Sequence, residues 1–95
     1  MPDKTVYTIV HNAAESRFET TVDGRTAFTD YTIRDGVMVM PHTMVPGELE
    51  GRGIAGQLVA AALAYAREQG LKVRPLCSYV AAYVRRHPEV QDLHV

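Results

Sequence analysis

The residues best placed to do chemistry in this 95-residue chain are three glycines within six positions, Gly51-Arg52-Gly53-Ile54-Ala55-Gly56. They lie between an extended segment and a helical pattern. A loop in that place can bring backbone N–H groups close to an anion, helped by the positive end of the helix dipole. A turn that is glycine-rich only for flexibility is the plain alternative. Taken literally, the segment also matches the dinucleotide fingerprint G-x-G-x-x-G. That motif opens a repeating parallel βαβ array and wants an acid about 20 residues further on. Here it follows alternating strands, and the corresponding position, Leu76, sits in an apolar stretch, so the dinucleotide reading fails on topology.

Five other positions carry candidate chemistry. Arg52, inside the loop, is either a charge-assisted phosphate donor or a solvated cation. Cys77 stands at the end of a short strand just before a helix start, which suits nucleophilic chemistry as well as it suits a small buried hydrophobe. Tyr83 falls at helical spacing from Val80 and can be a core residue or a proton donor. Arg85 and Arg86 close the same helix, where a basic pair also complements the dipole. The histidines His11, His87 and His94 form no metal-ligand spacing with one another or with Cys77, and no metal site is expected.

These residues need elements to hold them. Tyr7 to His11 is β-branched and aromatic, a strand signal. From Arg17 to Val22 the residues alternate, with Phe18, Thr20 and Val22 on one face. Asp23-Gly24 marks a tight turn. Ala27, Thr29, Tyr31 and Ile33 give a third alternating run, and Asp35-Gly36 a second turn. Val37 to Met40 is continuously apolar, as in a central strand covered on both faces. The period then changes: Ile54, Leu58, Ala62 and Tyr65 recur at helical spacing up to Gly70, a helix-ending residue. Leu71 to Leu76 reads as a short strand with Pro75 near its end. Ser78 is placed to cap a second helix with Val80, Tyr83 and Val84 on its inner face, stopped by Pro88. The tail beyond is too short to assign. The expected fold is α+β, a single domain over 1–95: an antiparallel meander, then strand, loop, helix, strand and helix, with the helices packed on one mixed sheet.

That layout, with the glycine loop after the meander, resembles the GNAT acetyltransferases. Their pyrophosphate loop reads Q/R-x-x-G-x-G/A, and here Glu50-Gly51-Arg52-Gly53-Ile54-Ala55 occupies it, with Glu50 in place of the usual Gln or Arg. Val45-Pro46, Leu49 to Ala55, Gly70-Leu71-Lys72-Val73, Pro75 to Val80 and Tyr83 to Pro88 further resemble the small YjdJ-like N-acetyltransferase family. The resemblance implies a minimal GNAT fold without the helices usually inserted after the first strand, and therefore an open acceptor face. It implies acetyl-CoA (coenzyme A) as co-substrate and acetyl transfer to an amine, by direct attack in a ternary complex. Cofactor-binding residues carried over are Met44, Val45, Gly51, Arg52, Gly53, Ile54, Ala55, Gly56, Cys77 and Arg86. The catalytic candidates are Cys77 near the CoA sulfur, Tyr83 as the acid that protonates the leaving thiolate, and His42, beside Thr43, as the base on the acceptor side. The acceptor is a small molecule or a protein lysine. A CoA- or acyl-CoA-binding module without turnover, or a ligand-free interaction protein, are the rival readings.

Composition narrows the field. The chain is 46% hydrophobic and 22% charged with a net charge of -1, so no basic surface for nucleic acid is expected. No apolar run approaches the length of a membrane span. The start Met1-Pro2-Asp3-Lys4 lacks the apolar core of a secretory signal. A single cysteine, Cys77, fits a reducing compartment, and a cytoplasmic protein is expected.

Overall fold

The computed structural model describes residues 5–95. The residues on which the reading of no secretory signal was based, Met1 to Lys4, lie outside the described residues.

The meander forms because its turns are written locally. β2 (Arg17–Val22) and β3 (Arg25–Asp30) pair antiparallel, and Val22 meets Arg25 across a two-residue turn. Both turn residues take positive φ, 52° at Asp23 and 76° at Gly24, the geometry that matches the strand twist. Asp35 and Gly36 repeat it with 52° and 76° between β4 (Thr32–Arg34) and β5 (Val37–Met40). The expected first strand is shorter than its β-branched composition suggests. Only β1 (Val10–Asn12) pairs with β2, and a 3-10 turn at Ala13–Glu15 follows.

α1 (Ile54–Glu68) packs against the inner faces of β2 and β3. Leu58, Val59, Ala62, Leu63 and Ala66 are buried there against Phe18, Ala27 and Met38. β7 (Lys72–Pro75) returns parallel to β5, and Pro75 is its last residue, where no ladder donor is needed. α2 (Ser78–Arg86) follows, with Val80 and Val84 buried and Tyr83 half-buried. Ser78 does not cap this helix. The N-cap is Cys77, without a side-chain cap bond, and Ser78 is the first helical residue. The tail also has structure. Pro88–Leu93 forms a 3-10 helix, Leu93 is buried, and Val95 donates its N–H to Val73 O at 3.0 Å.

The α+β class holds, but the expected single sheet is divided. One sheet is antiparallel, in the order β1-β2-β3-β6, where β6 is Thr43–Met44. The other is mixed, in the order β4-β5-β7. The break has a definite cause. Phe28 pairs with Met44 and Thr29 with Thr43, but Thr32 pairs with Val39, so Asp30 and Tyr31 face Met40, Pro41 and His42. One extra residue on the second strand makes a β-bulge, and Pro41, which has no N–H, sits in it. β5 is central as expected, yet covered fully on one face only: Met38 and Met40 are buried while Val37 and Val39 are half-buried.

Candidate functional site

The bulge and the end of β7 open the molecule between them. β5 and β7 stay paired through Met40 and Pro75, and Leu76 and Cys77 then both donate their N–H to Met40 O, at 3.2 and 2.9 Å. Beyond that point β6 pairs with β3 rather than β7, so the strands splay. Met44 is committed to Phe28: the bond from Asp30 N–H to His42 O, at 3.1 Å, sets the alternation, which gives Met44 and Phe28 a mutually bonded pair. The neighbouring backbone groups, those of Thr43 and Val45, turn to the opposite side, toward the splay. Val45, rather than Met44, is thus the expected residue whose backbone faces the opening.

The glycine loop lines one side. Gly51 and Gly53 adopt φ of +81° and +79°, and a Cβ at either would meet nothing within 4 Å. Glycine is needed there for the backbone angle, and the space in front of it is open. Gly53 is the N-cap of α1, with no side-chain cap bond and no acidic residue in the first turn. The N–H groups of that turn are therefore left for an anion. A cavity of about 330 Å³ lies before them, lined by Val45, Leu49, Glu50, the loop residues Gly51, Gly53, Ile54, Ala55 and Gly56, and Tyr79. A second cavity of about 250 Å³ shares Gly56 and Tyr79 and runs along α2 past Ala82 and Tyr83 to Arg86 and His87. The two adjoin at Gly56 and Tyr79, as two halves of a groove reaching from Val45 to the C-terminal half of α2. Arg86 lines it, whereas Arg85 lines a different cavity with Pro75 and His94.

Arg52 does not join this groove. Its guanidinium donates to Glu48 O at 3.3 Å and lies 3.9 Å from the Asp23 carboxylate, and it is absent from the cavity lining. Tyr83 stacks on His87 with ring centroids 3.8 Å apart. Burial, with help from Glu89 and Tyr79, raises the Tyr83 phenol above its ordinary pKa, so it stays a proton donor near neutrality.

A third cavity, on the other side of β6, gathers Phe28, Pro41, His42, Thr43, Met44, Leu76, Cys77 and Ser78. It brings together His42 and Cys77, two residues 35 positions apart in sequence. The Cys77 thiol is half-buried and donates to Thr43 Oγ1 at 3.6 Å. His42 is exposed, and its ring Nδ1 lies 2.9 Å from Asp30 Oδ2. Met44 and Leu76 are exposed apolar residues at the rim. Among the described residues no group of three or more His, Cys, Asp or Glu gathers as a metal site, and no helix is long and apolar enough to cross a membrane.

Two members of the site escape a reading of the sequence. Tyr79 joins the two halves of the groove, and its signal was its place four residues before Tyr83 on one helix face. Its phenol is also raised, by burial, with Arg86 opposing. Asp30 falls within the third alternating run, on the face opposite Thr29 and Tyr31, with no signal beyond its polarity.

A bulged central strand, a splay beside it and a glycine-opened helix are together the layout of a GNAT-type fold. A GCN5-like protein from Staphylococcus aureus, solved by NMR, is similar in structure, with a TM-score of 0.75 and 27% sequence identity, covering 94% of this chain and 88% of that one. The model of the GCN5-related N-acetyl-transferase family matches residues 17–93. The chain belongs to that family. It is also similar to the protein NATD1 of Gallus gallus and of Homo sapiens, 40% identical over 57 residues in each case, which is 60% of this chain. The matches cover 52% and 50% of those proteins, so the chain spans about half the length of the relatives it matches.

Proposed function

We propose that the protein transfers an acetyl group from acetyl-CoA to a primary amine by direct attack. The observation that carries this reading is the uncapped, acid-free start of α1 behind Gly51 and Gly53, opening on a cavity that a second one adjoins at Gly56 and Tyr79. Membership of the N-acetyltransferase family supports it. In this reading the loop N–H groups hold the pyrophosphate, Arg86 and Tyr79 line the path of the remaining nucleotide, and the Val45 backbone holds the pantetheine arm like an added strand. The amine enters from the cavity of His42. Its nitrogen attacks the thioester carbonyl, which a backbone N–H at the splay polarises. His42 takes one proton from the attacking nitrogen, the C–S bond breaks, and the electron pair leaves on sulfur. Water then protonates the thiolate, so the products are an amide and CoA thiol. Tyr83, expected as that acid, lines the nucleotide half of the groove with Arg86, away from Cys77 and the splay. Cys77 lines the acceptor cavity beside His42 and Thr43. The half-buried lone thiol fits a reducing, cytoplasmic setting.

Calorimetry with acetyl-CoA tests the cradle. Gly53→Asp and Gly53→Asn strain the backbone alike, since both tolerate positive φ, but only Asp adds a negative charge. The parent should bind, Asn should bind more weakly, and Asp should lose roughly a further tenfold or more, as one uncompensated charge at a phosphate site is worth over 1 kcal/mol. Equal binding by the Asp and Asn variants would remove the phosphate from α1. Binding without transfer to any amine would leave a CoA-binding module.

A further inference from the structure

We propose that Asp30 is the positioning residue of the acceptor site, and that with His42 it forms a dyad which holds the imidazole in the one tautomer able to accept the amine proton. The proposal rests on the acetyl-transfer reading and adds a residue and a role to it. It begins at the bulge. Asp30 and His42 stand opposite each other, and Asp30 N–H donates to His42 O at 3.1 Å as a ladder pair requires. The reciprocal bond is replaced. His42 N–H donates instead to the carboxylate Oδ1 of Asp30, at 2.9 Å, because the extra residue at Pro41 alters the strand's path there. The same carboxylate offers its second oxygen, Oδ2, to His42 Nδ1 at 2.9 Å. A carboxylate only accepts, so Nδ1 carries the proton and Nε2 is left with its lone pair. The ring is fixed at its backbone and at its edge by one side chain, while 71% of it stays exposed toward the acceptor cavity. Competing charges are occupied. Arg17, the cross-strand partner of Asp30 on β2, is held by Glu19 and lies over the Phe28 ring at 4.9 Å.

Asp30→Asn separates position from mere structure. The amide oxygen can still accept from His42 N–H, so the bulge is kept. The amide NH2 now faces Nδ1 and forces the ring proton onto Nε2, leaving no lone pair for the amine. Ring 15N shifts of His42 should report Nδ1–H in the parent and Nε2–H in Asp30→Asn. With acetyl-CoA and Nα-acetyl-lysine amide as the probe acceptor, kcat and kcat/KM should fall together by roughly 100-fold, the usual reach of a general base. The acetyl-CoA Kd should be unchanged, and His42→Gln should match the loss. Wild-type turnover in Asp30→Asn, or a parent ring protonated at Nε2, overturns the dyad. Absence of acetyl-CoA binding in the parent overturns the acetyl-transfer reading instead, and the 15N shifts alone then decide whether Asp30 sets the tautomer.

Discussion

Cys77 and Tyr83 occupy two ends of one helix and take different parts in the proposed reaction. Cys77 lines the acceptor cavity, its thiol directed to Thr43 rather than to a general base. Direct attack by the amine needs no acyl-cysteine. Cys77→Ala should therefore retain most of its activity, and mass spectrometry after acetyl-CoA alone should show no hydroxylamine-labile adduct. Tyr83→Phe keeps the ring stacked on His87 and removes only the hydroxyl. In calorimetry it should weaken acetyl-CoA binding at the nucleotide half of the groove, with little change in kcat or in melting temperature. An adduct on Cys77 that passes to the amine at the turnover rate, or a roughly tenfold loss of kcat in Tyr83→Phe, would reverse these assignments.

At the scale of elements, α1 is built against its own helical preference at one point. Gly56 lies in its first turns, where glycine costs about 1 kcal/mol relative to alanine. No backbone angle demands it, since its φ is not among the positive ones. An added Cβ would meet the Tyr79 hydroxyl at 3.5 Å, an ordinary contact. Gly56→Ala is thus expected to raise stability by about 0.5–1 kcal/mol in thermal or denaturant unfolding. The methyl would also stand where the two halves of the groove meet, so acetyl-CoA affinity should drop in calorimetry. A variant that is more stable and binds equally well would show that the groove does not run past Gly56. The bulge is the second such element: a strand that gives up ladder pairing at Pro41 leaves Asp30 and His42 to pair through a side chain.

On the scale of the whole molecule, the tail closes the fold against α1. Arg67 donates to both carboxylate oxygens of Asp92, at 3.0 and 2.8 Å, and to Glu89 O, while Lys72 reaches Asp92 O. The Arg67 guanidinium holds the Asp92 carboxyl below its usual range. A carboxylate depressed by folding contributes stability that is full above its unfolded pKa and is lost as pH falls through the folded one. The melting temperature of Asp92→Asn should lie below the parent's at neutral pH, and the two curves should converge below about pH 4, the ordinary aspartate value. Parallel curves down to pH 2 would mean that this pair does not couple the tail to folding. Because the pair is fully exposed, the gap should be small and should shrink with salt.

The features the sequence determined by itself are those set by neighbours along the chain. Asp23-Gly24 and Asp35-Gly36 specify their turns because positive φ at two adjacent residues is a local demand, and both adopt it. The helical spacing of Ile54 to Ala66 and the punctuation by Gly70, Pro75 and Pro88 are local for the same reason, and the elements follow them closely. The glycine loop was legible too, as residue types whose freedom is intrinsic. What only the tertiary structure decided depends on register and side-chain direction across strands. Composition alone does not reveal that Asp30 and Tyr31 would face three residues, that Pro41 would divide the sheet, or that Asp30 would thereby reach His42. Arg52 stands in the expected loop, yet its side chain follows its chain neighbour Glu48 and Asp23, the latter brought near by the β2–β3 turn. The tail became ordered because Leu93 is buried and Val95 pairs with Val73. Chain neighbours set local backbone geometry, whereas these contacts depend on distances that exist only once β3, β6 and α2 have met.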